Sequence, residues 1–261
     1  MAMDILARYG IKEVADVTFY ELDSNGNPTA PVLYLDTLKV STIEQTAENT
    51  SARGGKGNPE LIMWDYGKEI TVTLEDALFS AKSMAMMYGV DTGADSVDFK
   101  GLSSLMKTVK PAQVTTAGSG TNMTTYFEIN GKKVVATNVK YYDANGQTGL
   151  VDTTGSVTTA YTHGSDAVAY VTGTIGITGQ EIVISSDKFP GTYYVTGDTY
   201  ARSEASGKDE FFQFIIPKAK MQSEVTLTME AEGDPSTFNM TLKVLRPDSG
   251  DMMKLVKYDL A

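Results

Sequence analysis

The sequence is poor in the residues from which most enzyme sites are built. It contains no cysteine, which excludes disulfides, thiolate metal ligands and a thiol nucleophile. It has a single histidine, His163, so a conventional zinc site would need carboxylates for most of its ligands. No Gly-x-Ser-x-Gly elbow accompanies that histidine. We therefore interpret His163 as a loop residue.

Basic residues and long apolar runs are also scarce. The chain has 22 lysines and arginines against 33 acids, a net charge of -11, which argues against a surface that grips nucleic acid. No run approaches the ~18 consecutive apolar residues of a membrane helix. The beginning MAMDILARYG has an acid inside its apolar stretch, unlike a secretory signal, so no membrane partner is expected. With 41% hydrophobic residues, the 261-residue chain is expected to fold as one large or two ordinary domains.

The sequence is rich in segments in which apolar and polar residues alternate with a period of two. Residues 70–74, ITVTL, place apolar side chains on one face and threonines on the other, as in a half-buried strand. Residues 225–231 and 238–244 repeat the pattern around the turn EGDP and predict an antiparallel hairpin. Asn25 and Gly26 predict a second hairpin between EVADVTFYEL and PVLYLDTLKV. A third is predicted from KKVVATNVKYYD and the turn DANG.

One segment departs from this alternation. From Leu74 to Tyr88 apolar residues recur at spacings of three and four, which predicts a helix over about 75–88. Thr73 is the expected N-cap and Gly89 the expected stop. We interpret the three methionines of this segment as core filler and not as a soft-metal site. The stretch KGLSSLMKTVK, 100–110, is expected to form a second short helical piece.

Two groups of residues leave carbohydrate chemistry open. Glu230, Glu232 and Asp234 are close in sequence, but alternation places the glutamates on the solvent side of a strand, which favours a solvated face over a glycosidase pair. Trp64 and Tyr66 could form a sugar platform, although such a pair beside a strand is more often core. A carbohydrate-binding or carbohydrate-cleaving β-sandwich therefore stays as an alternative.

The glycine-rich stretch SARGGKGNPEL suggests a phosphate cradle but does not fit one. A P-loop needs a glycine five residues before Gly55 and a hydroxyl after Lys56, whereas the chain has Thr50 and Gly57 there. A dinucleotide cradle must open a helix, whereas this glycine run precedes a strand. We therefore predict no catalytic, cofactor or metal residues. Residues 46–58 are interpreted as a long loop between two strands, a length usually kept for function.

The order of these elements resembles the tail tube protein, or major tail protein, of long-tailed bacteriophages. The resemblance runs from LYLDTLKVSTIEQTAEN through GGKGNPELIMWDYGKEITVTLEDALFS and resumes from FPGTYYVTGDTYARSEASGKDEFFQFIIPKAKMQSEVTLTMEAEGDPSTFNMTLKVL. It implies a mainly β fold, an antiparallel β-sandwich or split barrel with one flanking α-helix. Residues 1–110 and 186–261 would form the core, and residues 111–185 a β-rich insertion.

The resemblance also implies a function. It implies a structural virion protein, not an enzyme, that forms hexameric rings stacked into a tube for DNA ejection. The implied partners are further copies, other tail proteins (sheath, terminator, baseplate or tape measure) and genomic DNA that passes without specific binding. The implied location is the virion tail, with assembly in the host cytoplasm. A decoration or tail terminator protein with the same sandwich is the alternative from the same class.

If the protein forms a tail tube, the glycine-bearing loop 46–58 is the expected contact between subunits or rings. Arg53 and Lys56 are the expected salt-sensitive contacts with an acidic neighbour. The candidate residues are Thr46, Glu48, Asn49, Arg53, Gly54, Gly55, Lys56, Gly57 and Asn58.

Overall fold

The fold contains two compact units. A computed structural model describes residues 8–90, 99–117, 124–145, 148–152, 168–225 and 237–258. The first unit comprises Met1–Asp98 with Ile182–Ala261, and the second comprises Phe99–Glu181. Strand accounts for 65% of the structure, both sheets are antiparallel, and neither closes into a barrel in the described residues. The prediction of a mainly β, sandwich-type protein with one α-helix is confirmed.

The described residues form fifteen strands, one α-helix and one short 3-10 helix. In chain order they are β1 Tyr9–Ile11, β2 Asp16–Leu22, β3 Pro28–Leu35, β4 Leu38–Arg53, β5 Glu60–Asp76, α1 Ala81–Met87, β6 Phe99–Val109, the 3-10 helix Pro111–Gln113, β7 Val114–Ala117, β8 Thr124–Ile129, β9 Lys132–Tyr142, β10 Thr148–Asp152, β11 Tyr170–Ile182, β12 Thr192–Ser203, β13 Asp209–Met221, β14 Phe238–Val244 and β15 Lys254–Tyr258.

The first unit is built on a nine-stranded sheet. Its order is β3-β2-β12-β13-β14-β5-β4, with β1 added to β12 and β15 added to β13. Alternate residues of these strands, such as Phe19, Leu74 and Leu242, are fully buried in one hydrophobic cluster. The predicted β2–β3 hairpin is confirmed, and its turn is held by the Asp23 carboxylate, which accepts the Asn25 and Asn27 N–H groups at 2.8 Å.

The α-helix begins later than predicted. Helix α1 starts after Ser80, whose hydroxyl caps the Ser83 N–H at 2.9 Å, and it ends before Gly89 as expected, with φ of +72° at that glycine. The predicted start near residue 75 is wrong because β5 continues to Asp76, paired with β14 through Asp76 and Phe238. Leu74 is a buried residue of β5 and Leu78 lies in the connection after it, so their spacing of four does not reflect a helix.

The second unit has its own six-stranded sheet and its own core. The order is β6-β11-β9-β8-β7, with β10 paired to β9, and Phe127, Val139 and Val171 are fully buried. The β9–β10 pairing confirms the third predicted hairpin. The predicted helical piece at 100–110 is wrong, since residues 100–109 belong to β6, whose pairing with β11 overrides the local helical preference.

Several predictions fall on residues outside the described ranges. Strand β14 matches the predicted strand 238–244 and pairs with β13 and β5. Its predicted partner 225–231, apart from Val225, and the EGDP turn lie outside the described residues. The same holds for His163, Glu230, Glu232 and Asp234.

Candidate functional site: the β4–β5 arm

The longest strands in the described part of the chain, β4 and β5, form a hairpin that extends beyond its sheet. They pair from Leu38 and Asp76 to Arg53 and Glu60. On its other side β5 pairs with β14 only over residues 71–76. Beyond the buried Ile70, residues 46–69 are therefore a two-stranded ribbon, here called the arm, which reaches roughly 30 Å past the sheet at about 3.3 Å per residue.

The arm corrects the predicted loop. Residues 46–53 were expected to be loop but belong to β4, since partners on β5 face them across the ladder. Only residues 54–59 form a turn. Of the candidate residues, Thr46, Glu48, Asn49 and Arg53 thus lie on the strand, and Gly54, Gly55, Lys56, Gly57 and Asn58 form the tip.

The glycines of the tip serve the turn. Gly55, Gly57 and Asn58 have positive φ angles of +83°, +85° and +48°, a conformation that glycine and asparagine adopt most readily. The turn is closed by the Gly54 N–H to the Pro59 carbonyl at 3.2 Å. This backbone geometry explains the GGKG run without an anion ligand.

The charged residues of the tip behave differently from one another. The Arg53 guanidinium already pairs with the Glu60 carboxylate at 3.1 Å across the ladder, so it is not a free cation for a neighbour. Lys56 is exposed at the tip and has no ion-pair partner among the described residues. Of the two predicted salt-sensitive contacts, Lys56 is the one available to a second molecule.

A β-bulge bends the arm near its base. Thr46 pairs with Glu69 but Glu48 pairs with Tyr66, so Ala47 faces two residues of β5. Gly67 supplies a φ of +62° there, which a side chain would oppose. Such bulges increase the local twist and change the direction in which the following side chains point.

The distal part of β5 exposes large apolar side chains on both faces. Leu61, Ile62, Met63, Trp64 and Tyr66 are each between 52% and 63% exposed. Strand alternation places Ile62, Trp64 and Tyr66 on one face, here called the aromatic face, and Leu61 and Met63 on the other. Trp64 and Tyr66 are thus not core residues. The unalternating LIMW run was the sequence signal for a strand without a buried side.

The sequence comparison identifies the family of the protein that carries this arm. Residues 9–257 match the YomU/Tube protein family. The chain belongs to the YomU/Tube family. The resemblance to phage tail tube proteins is thereby confirmed, and the chain is a structural component of the phage tail. No individual curated protein matches the sequence.

The tube protein has a polar cleft on its first unit, lined in part by Asp16, Asp198, Arg202 and Asp209. Three of its charged side chains, Asp198, Arg202 and Asp209, form bonds across the sheet. Arg202 donates to both Asp209 oxygens at 2.7 and 2.8 Å, and these hydrogen bonds lower the pKa of that carboxyl. Asp198 accepts from the Gln213 amide at 2.9 Å. These bonds stabilise neighbouring strands.

Two further properties of the tube protein concern ions and membranes. Within the described ranges, no three histidine, aspartate or glutamate side chains converge as metal ligands would. None of the described helices has the length and apolar character needed to span a bilayer.

Proposed function

We propose that the protein polymerises as stacked rings, hexameric as in the tail tube proteins it resembles, into a tube through which DNA is ejected. The arm makes the contacts between subunits or rings. The observation that carries the proposal is the exposure of five large apolar side chains on both faces of the arm. Membership of the tube family supports the proposal at the level of self-assembly with other tail components.

The arm is unsuited to a protein that stays monomeric. A two-stranded hairpin without a core is marginally stable in water, and a long apolar ribbon with free edges invites pairing with other chains. Contact with a second copy solves both problems, since it covers the apolar faces and supplies the missing packing. A contact between different surfaces of identical subunits repeats without closing when copies stack, and so produces a filament.

The charge distribution supports a DNA conduit built by the first unit. Residues 99–181 contain six lysines and five acidic residues, so the acidic excess of the chain lies in the rest of the sequence. An acidic wall repels phosphates and lets DNA pass without binding. The second unit lacks this excess and is proposed to be an insertion in the tube subunit.

Removal of the arm tests the proposal. Deleting residues 46–58 alone would leave 60–69 without a partner strand, so the sharper variant removes 46–69 and joins Gln45 to Ile70 by Asn-Gly, which suits a two-residue hairpin turn. We expect a folded subunit with near wild-type circular dichroism that forms no tubes under negative-stain microscopy. Tubes at normal yield would refute the role of the arm. Wild-type protein that only gives discs or monomers would favour a decoration or terminator protein.

A further inference from the structure

A second exposed apolar patch lies at the opposite end of β5. Leu78 and Phe79 follow the strand directly and are 65% and 55% exposed. The Asp76 carboxylate fixes this connection by accepting the Leu78 N–H at 3.2 Å and the Thr37 hydroxyl at 2.5 Å. The Phe79 ring packs on Phe238 with centroids 4.3 Å apart. These contacts fix the connection while both side chains stay largely exposed, and Leu78 and Phe79 are here called the base patch.

We propose that the aromatic face of the arm of one copy docks on the base patch of a second copy. This inference rests on the proposed tube assembly and names the surface that receives the arm. Both surfaces are apolar, and every side chain in them stays more than half exposed in the described part of the chain. They lie at opposite ends of one strand, so a copy presents its arm in one direction and its base patch in the other.

Charge complementarity supports this pairing. Glu48 lies opposite Tyr66 on the ladder, and its carboxylate therefore belongs to the aromatic face. Lys82 lies in the first turn of α1, three residues after Phe79, and is exposed. Neither side chain has an ion-pair partner among the described residues. The docked arm brings the free carboxylate of one copy to the free ammonium of the next.

The size of the contact fits a repeated interface. Aromatic side chains offer about 150–250 Å² each, so half-exposed Trp64 and Tyr66 with Ile62 and the base patch give roughly 500 Å² of apolar surface. That is about a third of a standard 1,600 Å² interface. A single contact is accordingly weak, and many parallel contacts around a ring give a stable assembly.

The length of β5 also limits the distance between successive copies in the tube. Trp64 and Asp76 are twelve residues apart on β5, which corresponds to roughly 40 Å of extended strand. If every arm docks on the base patch of the next copy, successive copies are displaced by no more than about this distance along the strand. The axial repeat of the tube measured by electron microscopy should therefore not exceed roughly 40 Å by more than the width of one side chain.

A charge swap tests the docking. We expect Glu48→Lys and Lys82→Glu each to raise the concentration needed for tube formation about tenfold at low salt, since attraction becomes repulsion in each. The double variant Glu48→Lys with Lys82→Glu should return close to wild type, and added salt should reduce all differences. Single variants that assemble like wild type, or a double variant no better than the worse single one, would overturn the docking.

A second pair of variants tests the apolar part. Phe79→Asp should abolish tubes, whereas the matched control Met106→Asp, 76% exposed on β6, should leave them intact. An equal loss of tubes in Phe79→Asp and Met106→Asp would count against the docking. So would closed dimers of the wild-type protein in sedimentation. Wild-type protein that never forms tubes would refute the proposed function itself, while tubes unaffected by all these variants would refute only the docking pair.

Discussion

Trp64 offers a direct probe of the arm because it is the only tryptophan in the chain. It lies on the aromatic face and is 53% exposed. If assembly covers the arm, Trp64→Ala should weaken tube formation while it leaves the isolated subunit folded. The native tryptophan should also report the event through its own fluorescence.

The expected magnitude follows from the exposed area. A tryptophan side chain offers up to about 250 Å², so slightly more than half of it is roughly 130 Å². At about 25 cal/mol per Å² this is worth roughly 3 kcal/mol when covered. Alanine retains part of that area, so the variant should lose about 2 kcal/mol per contact, and the critical concentration should rise roughly 30-fold. The free energy of unfolding of the subunit should fall by less than about 1 kcal/mol.

Two measurements check this expectation. Pelleting over a concentration series gives the critical concentration of wild type, Trp64→Ala and the control Met106→Ala, whose side chain is even more exposed, at 76%, but lies on β6. In wild-type protein, assembly should shift the tryptophan emission to shorter wavelength and slow quenching by acrylamide. An unchanged critical concentration in Trp64→Ala, or equal quenching in monomers and tubes, would refute the burial of the arm.

Further predictions concern the subunit itself. Leu74→Ala removes a fully buried side chain and should cost about 2–5 kcal/mol in urea unfolding, whereas exposed Leu78→Ala should cost less than about 0.5, and similar losses would contradict the assignment. Gly197→Ala places a Cβ 2.0 Å from the Phe214 ring and should lower stability by about 1–3 kcal/mol, so an unchanged melting temperature would show that the ring can move. The hydrogen bonds from Arg202 lower the pKa of Asp209 in the folded protein. The stability that this pair contributes is therefore fully present above the ordinary aspartate pKa of 3.8 and is lost as the pH falls through the lower folded pKa. Arg202→Gln should raise the Asp209 pKa in an NMR titration, and an unchanged pKa would refute this cause.

The sheet strands of the first unit were predictable because one buried face imposes alternation. Val72 and Leu74 are fully buried and the intervening Thr73 is not, as the pattern ITVTL requires. The arm was less predictable, since a ribbon with two exposed faces has no reason to alternate and its glycine tip looks like the centre of a loop. The start of α1 was misplaced for a different reason. The pairing of Asp76 with Phe238 joins residues far apart in sequence, and local spacing carries no trace of it.

The arm carries little stabilisation of its own, and this links its folding to assembly. Ion pairs bracket the apolar stretch, with Arg53 and Glu60 at the tip and Lys243 and Glu69 at the base, 2.8 Å apart. All four side chains are well exposed, and such pairs contribute at most about 1 kcal/mol each. These pairs add little to the backbone ladder of β4 and β5, so the distal strands have little side-chain packing until another surface covers them. High salt should therefore loosen the arm of the free subunit more than that of the tube, and hydrogen exchange of the residue 61–66 amides in both states would measure the difference.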